Sequence, residues 1–371
     1  MYSEDVSTIH DVARLAGVSS MTVSRVINAS GRISPATSAR VSQAIAELGY
    51  MPNALARQLR SSRTKTLALV VTDITNPFFT TIARGVEDAA RARGYAVMFC
   101  NTDESEQEEL EYIRMLIQRR VEGILLVPAT NSSGSLQLLH DQGLPVVVID
   151  RRAGSWEVDQ ARTDSEAGAY LAIRHLLDLG HRRIVAIAGP ENVSTSTDRV
   201  AGYRRAMAEE GLPAESQQFL FGEYNETSGY EMMQRVLASP PQPTAVFAAN
   251  NFIAYGALRA LNEAGISIPT DMSIASFDDV PQGWIFDPAL TVVSQPAYKI
   301  GRTAAALMLN RLASVEPTEG RTIVLPSELI VRRSTASPPT EDAGSTQPTA
   351  PTRREDLSLR LRSLGPIENR A

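Results

Sequence analysis

The pattern of apolar and polar residues near the start of the chain predicts three short helices. Thr8, Ser19 and Ser34 each precede a stretch in which apolar side chains recur at three- and four-residue intervals, and each can cap that stretch. Gly17 breaks the first helix and Gly49 stops the third. The first two helices have the spacing of a helix-turn-helix, whose second helix normally enters the major groove of DNA.

After residue 65 the pattern changes to short, nearly continuous apolar runs separated by amphipathic segments. Such runs are typical of parallel strands that are buried on both faces, and the alternation indicates an α/β fold. About eight βα units exceed one compact open sheet, so we expect two doubly wound subdomains with a ligand cleft between them. The predicted strands are 66–71, 96–100, 123–127, 146–149, 184–188, 245–249 and 273–277.

Composition narrows the class of protein. With 371 residues and 43% hydrophobic side chains, the chain can bury more than one core. No apolar run reaches the roughly 18 residues of a membrane span, and residues 1–9 contain no apolar signal-peptide core. The single Cys100 excludes an internal disulfide framework and a cysteine-rich zinc site. We therefore expect a cytoplasmic protein with no membrane partner, metal or cofactor.

The net charge of −6 argues against nucleic acid as a partner only until the chain is divided near residue 65. Residues 1–65 carry eight lysine and arginine side chains against four carboxylates, whereas the rest of the chain holds 28 basic side chains and 38 carboxylates. A small basic head on an acidic body is the charge pattern of a protein that meets phosphate at one end only.

Three motifs in the basic segment resemble the DNA-binding head of the lactose-repressor (LacI/GalR) family of transcription regulators. They are TIHDVARLAGVS at 8–19, MTVSRVIN at 21–28 and LGYMPNALARQL at 48–59. The resemblance implies that Ser20 and Met21 face base edges and that Arg25 contacts guanine, to which arginine can donate two hydrogen bonds. Five other head residues are expected at the DNA. They contact or flank its phosphate backbone or lie on the outward face of the second helix, and they are Ser19, Thr22, Ser24, Asn28 and Tyr50.

Residues 53–60 resemble the hinge helix of the same family, which forms on the operator when two copies meet. Asn53, Ala56 and Leu59 are its expected positions at the DNA. Leu59 can insert between base steps of the minor groove and kink the duplex, or it can pack at the end of a helix. Because the half-sites of such an operator mirror a two-fold axis, we expect a homodimer on double-stranded operator DNA.

The resemblance continues to about residue 335, where the body is similar to a periplasmic sugar-binding protein behind a DNA-binding head. It implies a helix-turn-helix head at 1–52, a hinge and linker at 53–65, and two doubly wound parallel-sheet subdomains of periplasmic-binding-protein type. The first subdomain would hold 66–162 and 293–320, and the second 163–292 and 321–335. Residues 336–371 form a tail rich in Pro, Thr and Ser, which cannot build a core.

Loops at strand ends are expected to line the ligand cleft, because open α/β sheets bind ligands there. The loop after the first predicted strand leads into a helix that begins near Phe78 and Phe79. Either ring can stack on a sugar, and Tyr224 is a weaker candidate for the same role. A place in the core is the alternative for Phe78.

Polar residues at the ends of other strands complete the predicted effector site. Asp150 and Asp278 can accept hydrogen bonds from vicinal hydroxyls, Arg199 can donate a bidentate fork to hydroxyls or to a carboxylate, and Asn250 can both donate and accept. Alternatively, the aspartates form strand-end turns and Arg199 forms a salt bridge. Together they favour a small-molecule effector, either a sugar or a sugar acid. Where the family has Asn-Asp this chain has Asn250-Asn251, which puts the identity of the ligand in doubt.

An enzyme on a doubly wound fold and a free-standing sugar receptor are the alternatives from other classes. The chain has no Gly-x-Gly-x-x-Gly fingerprint, P-loop or Gly-x-Ser-x-Gly elbow, and its four histidines lack metal-ligand spacing. A receptor would need export and would leave the basic head unexplained. The sequence therefore predicts a DNA-binding transcription regulator, specifically a repressor, that is controlled by a small effector. Whether the effector releases the protein from DNA or promotes binding is not predicted.

Overall fold

The computed structural model describes the head, both parts of the body and the start of the tail. The predicted DNA contacts Asn28, Asn53, Ala56 and Leu59 lie outside the described residues. So does the tail from residue 340 onward. The described ranges are 7–27, 30–50, 64–132, 134–214, 217–279, 287–314 and 319–339.

The head consists of the three predicted helices, α1 (Ile9–Ala16), α2 (Ser20–Ile27) and α3 (Pro35–Glu47). Thr8 caps α1 by accepting from the N–H of Asp11, whose carboxylate in turn accepts from the Thr8 N–H. Gly17 ends α1 in the left-handed conformation, with φ of 65°. The three helices meet at a small core centred on the fully buried side chains Val12, Val23 and Val41.

The first subdomain is built on a sheet in which all six strands are parallel. Helices cover both faces, because alternate residues of each strand point to opposite sides. The helices are α4 (Pro77–Arg91), α5 (Glu106–Gln118), α6 (Gly134–Asp141) and α11 (Ala297–Ala313). The strands, in spatial order, are β11 (Thr322–Leu325), β5 (Asp159–Thr163), β4 (Val146–Ile149), β3 (Gly123–Leu126), β1 (Thr66–Val71) and β2 (Ala96–Asn101).

The second subdomain repeats this plan with a six-stranded sheet in which only the edge strand β12 runs antiparallel. Its helices are α7 (Ser165–Asp178), α8 (Ser194–Glu209), α9 (Glu226–Leu237) and α10 (Asn251–Glu263). Its strands, in spatial order, are β12 (Glu328–Ile330), β10 (Thr291–Ser294), β9 (Ser273–Phe277), β8 (Ala245–Ala248), β6 (Ile184–Ala188) and β7 (Gln218–Phe221). The seven predicted strands are all present within these two sheets.

The chain passes between the two subdomains three times, but two of the boundaries differ from the prediction. Residues 322–325 were assigned to the second subdomain, yet they form β11, which pairs with β5 in the first sheet. Residues 293 and 294 were assigned to the first subdomain, yet they belong to β10, which pairs with β9 in the second. The first error concerns a pairing between strands far apart in sequence, which local patterns do not reveal, and the second places the boundary inside β10 rather than after it. The crossings therefore follow β5, β10 and β11.

Three pairs of helices, α4 with α11, α7 with α8, and α9 with α10, approach each other closely enough for their backbones to touch. Each pair contains a glycine at the point of contact. A Cβ atom would lie 2.0 Å from the Ile82 carbonyl oxygen if it were added to Gly301, 2.2 Å from that of Glu166 at Gly202, and 2.0 Å from that of Glu226 at Gly256. No side chain fits at these positions without moving a helix.

A buried carboxylate fastens the third crossing to the first subdomain. Asp159, on β5, is fully buried and accepts hydrogen bonds from Arg311 Nε at 3.0 Å and from the Arg321 N–H at 2.9 Å. These bonds join β5, the end of α11 and the start of β11. Burial opposes ionisation of Asp159, but the hydrogen bonds from Arg321 and Arg311 outweigh it and lower the pKa of the carboxyl.

Candidate ligand cavity and DNA-binding surface

A cavity lies between the subdomains, where the carboxyl ends of strands from both sheets meet. This is the position at which doubly wound sheets bind ligands. The first subdomain contributes Asp73, Asn76, Phe78, Phe79, Glu104, Asp150 and Arg151, and the second contributes Thr195, Arg199, Tyr224, Asn250 and Asp278.

All seven residues predicted for the effector site line this one cavity. Five further residues line the cavity and are not among the sequence-predicted set, namely Asp73, Asn76, Glu104, Arg151 and Thr195. Their positions carried the same signal as the selected residues, because each of them lies in a loop after a strand or at the start of a helix. Arg151 is the most informative omission, since it directly follows Asp150 and is itself buried.

Asp150 and Asp278 occupy equivalent places in the two subdomains. Each follows a central strand, adopts a left-handed backbone conformation (φ of 66° and 67°), and donates its N–H to a carbonyl of the adjacent strand. A residue other than glycine at positive φ is uncommon, although aspartate tolerates it better than most. Backbone strain of this kind is concentrated at functional sites. Of these two equivalent carboxylates, the cavity therefore receives one from each subdomain.

Arg199 is held in place by contacts with three groups of the second subdomain. Its Nη1 donates to the Ala249 carbonyl at 2.6 Å and lies 3.7 Å from Oδ2 of Asp278. The centre of its guanidinium lies 3.7 Å from the centroid of the Phe277 ring. Its Nε has no hydrogen-bond partner among the described residues. Buried donors are normally paired, so this Nε is an unsatisfied group in a side chain that lines the cavity.

Arg151 performs a similar role on the side of the first subdomain. Its Nη1 donates to the carbonyls of Pro128 and Ala129, and its Nη2 donates to Oε1 of Glu104, all at 2.7 Å. Across the cavity, the centroid of the Tyr224 ring lies 5.9 Å from its guanidinium carbon. The arginine thus links the backbone, an acidic residue and an aromatic ring of the other subdomain.

The charges that face the cavity are unbalanced, since four carboxylates meet two guanidinium groups. Arg151 pairs with Glu104 and Arg199 lies near Asp278, but Asp150 has no ion pair within 4.0 Å and its Oδ1 has no hydrogen-bond partner among the described residues. Burial raises the pKa of Asp150 to about 6, because desolvation outweighs the attraction of Arg199 and Arg151. Burial likewise raises the pKa of Asp278.

We expect Asp150→Asn to stabilise the ligand-free protein at neutral pH. The pKa of Asp150 is higher in the folded state than in the unfolded state, so its ionised form opposes folding. That penalty is present above about pH 6 and disappears as the pH falls towards 4. Asparagine removes the charge and tolerates positive φ, so the free energy of unfolding at pH 8 should rise by up to about 3 kcal/mol.

Urea unfolding at a series of pH values measures this difference. The control is Asp141→Asn, which replaces an exposed carboxylate of α6. A gain at pH 8 that persists unchanged at pH 4.5, or a gain of the same size in the control, would contradict the assignment to a buried charge.

Hydrogen bonds across the cleft hold the two subdomains together. Asn76 and Asn251 exchange two hydrogen bonds through their side-chain amides, each 3.1 Å long. Arg152 forms an ion pair with Asp198 at 2.8 Å, and its N–H donates to Oγ of Ser194 at 2.9 Å. An amide pair between Asn76 and Asn251 thus joins the subdomains at this position.

The predicted DNA contacts of the head lie on and beside α2. Met21 is 62% exposed, and Arg25 is also exposed. Ser19 and Thr22 bond to each other through their hydroxyl groups at 2.9 Å, which fixes the start of the helix. Ser20, Thr22 and Ser24 also lie on α2 and are half-buried. Tyr50 lies after α3 and is partly buried against the core of the head.

His10 was not selected from the sequence, and the structure places it beside a predicted base contact. Its Nδ1 lies 3.1 Å from the Ser20 hydroxyl, within hydrogen-bonding distance. The contact joins α1 to α2 and orients the Ser20 side chain. Sequence spacing alone gives no signal for such a contact between two helices.

Two protein-family models together match nearly all of the described residues. Residues 8–53 match the family of bacterial regulatory proteins, lacI family. Residues 64–333 match the periplasmic binding proteins and sugar binding domain of the LacI family. The HTH-type transcriptional repressor PurR of Photobacterium profundum is 34% identical over 330 residues, which span 89% of this chain and 98% of the relative. PurR of Erwinia tasmaniensis is 37% identical over 340 residues, covering 91% and 99%.

Solved structures give the same result. A complex of the transcriptional regulator CelR with cellobiose is 35% identical, with a TM-score of 0.69 over 88% of this chain and 99% of that one. A LacI family regulator from Enterococcus faecium with bound ribose is 34% identical, with a TM-score of 0.67 over 73% and 99%. The lac repressor dimer bound to operator and the anti-inducer ONPF is 26% identical, with a TM-score of 0.80 over 89% and 99%.

These matches confirm the predicted α/β architecture and the helix-turn-helix head, and they confirm a regulator rather than an enzyme. No helix among the described residues is long and apolar enough to cross a membrane. The chain belongs to the LacI family of bacterial transcription regulators.

Proposed function

We propose that this protein is a cytoplasmic repressor that binds a pseudo-palindromic operator as a homodimer and is controlled by a small effector in the cavity between its subdomains. The observation that carries the proposal is the cavity itself. It lies between the two subdomains, and its lining residues carry four buried polar atoms without a hydrogen-bond partner among the described residues, namely Arg199 Nε, Arg151 Nε, Asp150 Oδ1 and Glu104 Oε2. Buried groups of this kind are normally satisfied, so they favour a polar ligand.

A neutral sugar fits the cavity better than a sugar acid. Carboxylates outnumber guanidinium groups in the lining, which disfavours a ligand that brings another negative charge. Hydroxyl groups both donate and accept, so they can serve Asp150 and Arg199 together. Phe78 and Phe79 form an edge-to-face pair with ring centroids 5.2 Å apart and supply an apolar wall.

Control of DNA binding follows from the position of the cavity in the chain. The first subdomain is connected directly to the head through residues 51–63. The second subdomain is connected to the head only by way of the first, through the three crossings. A ligand that changes the closure of the subdomains changes how two linkers approach each other in a dimer. A coupling free energy of about 1–3 kcal/mol between the two sites is sufficient for a roughly 5–150-fold change in operator affinity.

A thermal-shift screen of neutral sugars, sugar acids and nucleosides tests this function. Because a ligand that binds only the folded state raises the melting temperature, we expect a neutral sugar to give the largest shift and to alter operator affinity when added to a DNA-binding assay. The operator for that assay is selected by the wild-type protein from a random pool of duplexes. A stabilising sugar with no effect on DNA affinity, or failure to enrich any duplex, would contradict the proposal.

Arg25→Ala is expected to relax base preference at one position of each half-site, at a cost of roughly 1–3 kcal/mol. The reason is the loss of two parallel hydrogen bonds to one guanine. Arg40→Ala serves as the matched control, because it removes an exposed arginine of α3 that is not among the predicted DNA contacts and should leave base preference unchanged. The measurement is the affinity for operators with single base-pair changes. An equal loss of affinity for every sequence would show that Arg25 contacts only the backbone.

A further inference from the structure

Four exposed basic side chains surround the point at which the chain leaves the first subdomain for the head. They are Lys65, Arg93, Arg119 and Arg120, which we call the basic rim. The three arginines form no ion pair or side-chain hydrogen bond with another described residue. The ammonium group of Lys65 lies 4.3 Å from the centroid of the Tyr95 ring. The rim thus presents charges that the protein itself does not neutralise.

The topology brings these residues together although they are far apart in sequence. They precede β1, β2 and β3, which are neighbours in the order β3-β1-β2, with Thr66 opposite Ala96 and Leu67 opposite Gly123. Adjacent strands lie about 4.8 Å apart, so their amino ends form one narrow edge. Backbone contacts hold this edge at the exit of the chain, where the Arg120 carbonyl accepts from the Thr64 hydroxyl at 2.8 Å.

The charge of the first sheet is therefore polarised from one end to the other. Its carboxyl ends carry the acidic residues of the cavity, whereas its amino ends carry the rim. Glu122 is the carboxylate nearest to the rim in the chain, and it is engaged by the N–H of Lys65 and the hydroxyl of Tyr95. Asp141 and Glu157 precede β4 and β5, which confines the basic surface to the three strands around the exit.

We infer that the basic rim contacts the phosphate backbone of operator DNA, so that the body adds a sequence-independent contact to those of the head. This inference rests on the DNA-binding function. The thirteen residues 51–63 span at most about 45 Å, so DNA held by the head lies within reach of the rim. A duplex carries one negative charge per roughly 1.7 Å, and exposed arginines without partners are suited to bind it.

The salt dependence of DNA binding tests the inference. The rim variant combines Arg93→Gln, Arg119→Gln and Arg120→Asn, with asparagine chosen because Arg120 has a φ of 56°. The control combines Arg204→Gln, Arg235→Gln and Arg259→Gln, which remove three exposed charges from the second subdomain. The slope of log affinity against log salt should become shallower by about 0.9 for each phosphate that the variant no longer neutralises, for both the selected operator and a random duplex.

The expected result is a shallower slope in the rim variant and a slope equal to that of the wild type in the control. Arg119→Gln alone should give part of the change, and it provides the test if the triple variant melts at a lower temperature. A rim variant with the slope of the control would overturn the inference, as would a loss of affinity at an unchanged slope. If the wild type itself binds no duplex, the proposed function fails instead.

Discussion

Arg199→Ala is expected to abolish effector binding within the concentration range at which the wild type is saturated. The arginine is buried and is positioned by Ala249, Asp278 and Phe277, so it meets the ligand without reorganisation. A hydrogen bond between a charged group and a neutral partner contributes about 1.5–3 kcal/mol, which corresponds to roughly 10- to 160-fold in affinity. The absence of Arg199 leaves Asp278 and Asp150 in one cavity without their main counter-charge.

Titration calorimetry with the sugar found in the screen measures the loss. Arg199→Lys should recover little, because an ammonium group cannot reproduce the fork and the stacking on Phe277 at once. Arg205→Ala is the control, since it removes an exposed arginine from the same helix. Both Arg199 variants should still bind the operator, with an affinity that no longer responds to the sugar. If the sugar binds and acts normally in Arg199→Ala, the effector site has been placed wrongly.

Gly301→Ala is expected to lower the melting temperature by several degrees although it adds a single methyl group. The new carbon would lie 2.0 Å from the Ile82 carbonyl oxygen, so α4 and α11 must separate or shift. Overpacking of this kind costs about 1–3 kcal/mol, and each kcal/mol lowers the melting temperature by roughly 2–4 °C in domains of this size.

Ala306→Ser is a suitable control for this experiment, because it adds one atom to the exposed side of the same helix. Differential scanning calorimetry should separate the two variants clearly. An unchanged melting temperature in Gly301→Ala would mean that the helices are not in backbone contact in solution.

Six of the seven strands that sequence patterns identified lie inside the sheets, whereas the seventh, β2, is an edge strand whose residues are mostly half-buried or exposed, so the expectation that it is buried on both faces was wrong. The five that were missed are β5, β7, β10, β11 and β12. In β5, whose sequence is Asp-Gln-Ala-Arg-Thr, only alternate residues are fully buried, and one of them is a carboxylate. Asp159 reads as a surface residue until Arg311 and Arg321 are seen to neutralise it. The burial of a charge depends on partners from distant segments, which no local pattern records.

The location of the candidate site was predicted from residues that follow strands and from family resemblance, but the balance of charge in the site was not predicted. Asp150 and Asp278 were selected because each follows a buried strand. Arg151 and Glu104 also follow strands, but the contacts that give Arg151 its role, with the carbonyls of Pro128 and Ala129 and with Glu104, come from separate loops and are visible only in the structure. Only the assembled cavity reveals the excess of carboxylates that favours a neutral ligand.

The three crossings lie side by side, and this arrangement limits the motion that the body can make. Thr163 at the first crossing is paired with Leu325 at the third, and it donates its hydroxyl to Oε1 of Gln295 at the second. Three adjacent connections resist twisting and leave one axis about which the subdomains can rotate. Gln295 also donates to Asp278 at 2.6 Å, so a cavity residue is bonded directly to that axis. A ligand that engages Asp278 therefore acts directly on the residues at this axis. A small rotation there produces its largest displacement at the parts of the molecule farthest from the axis.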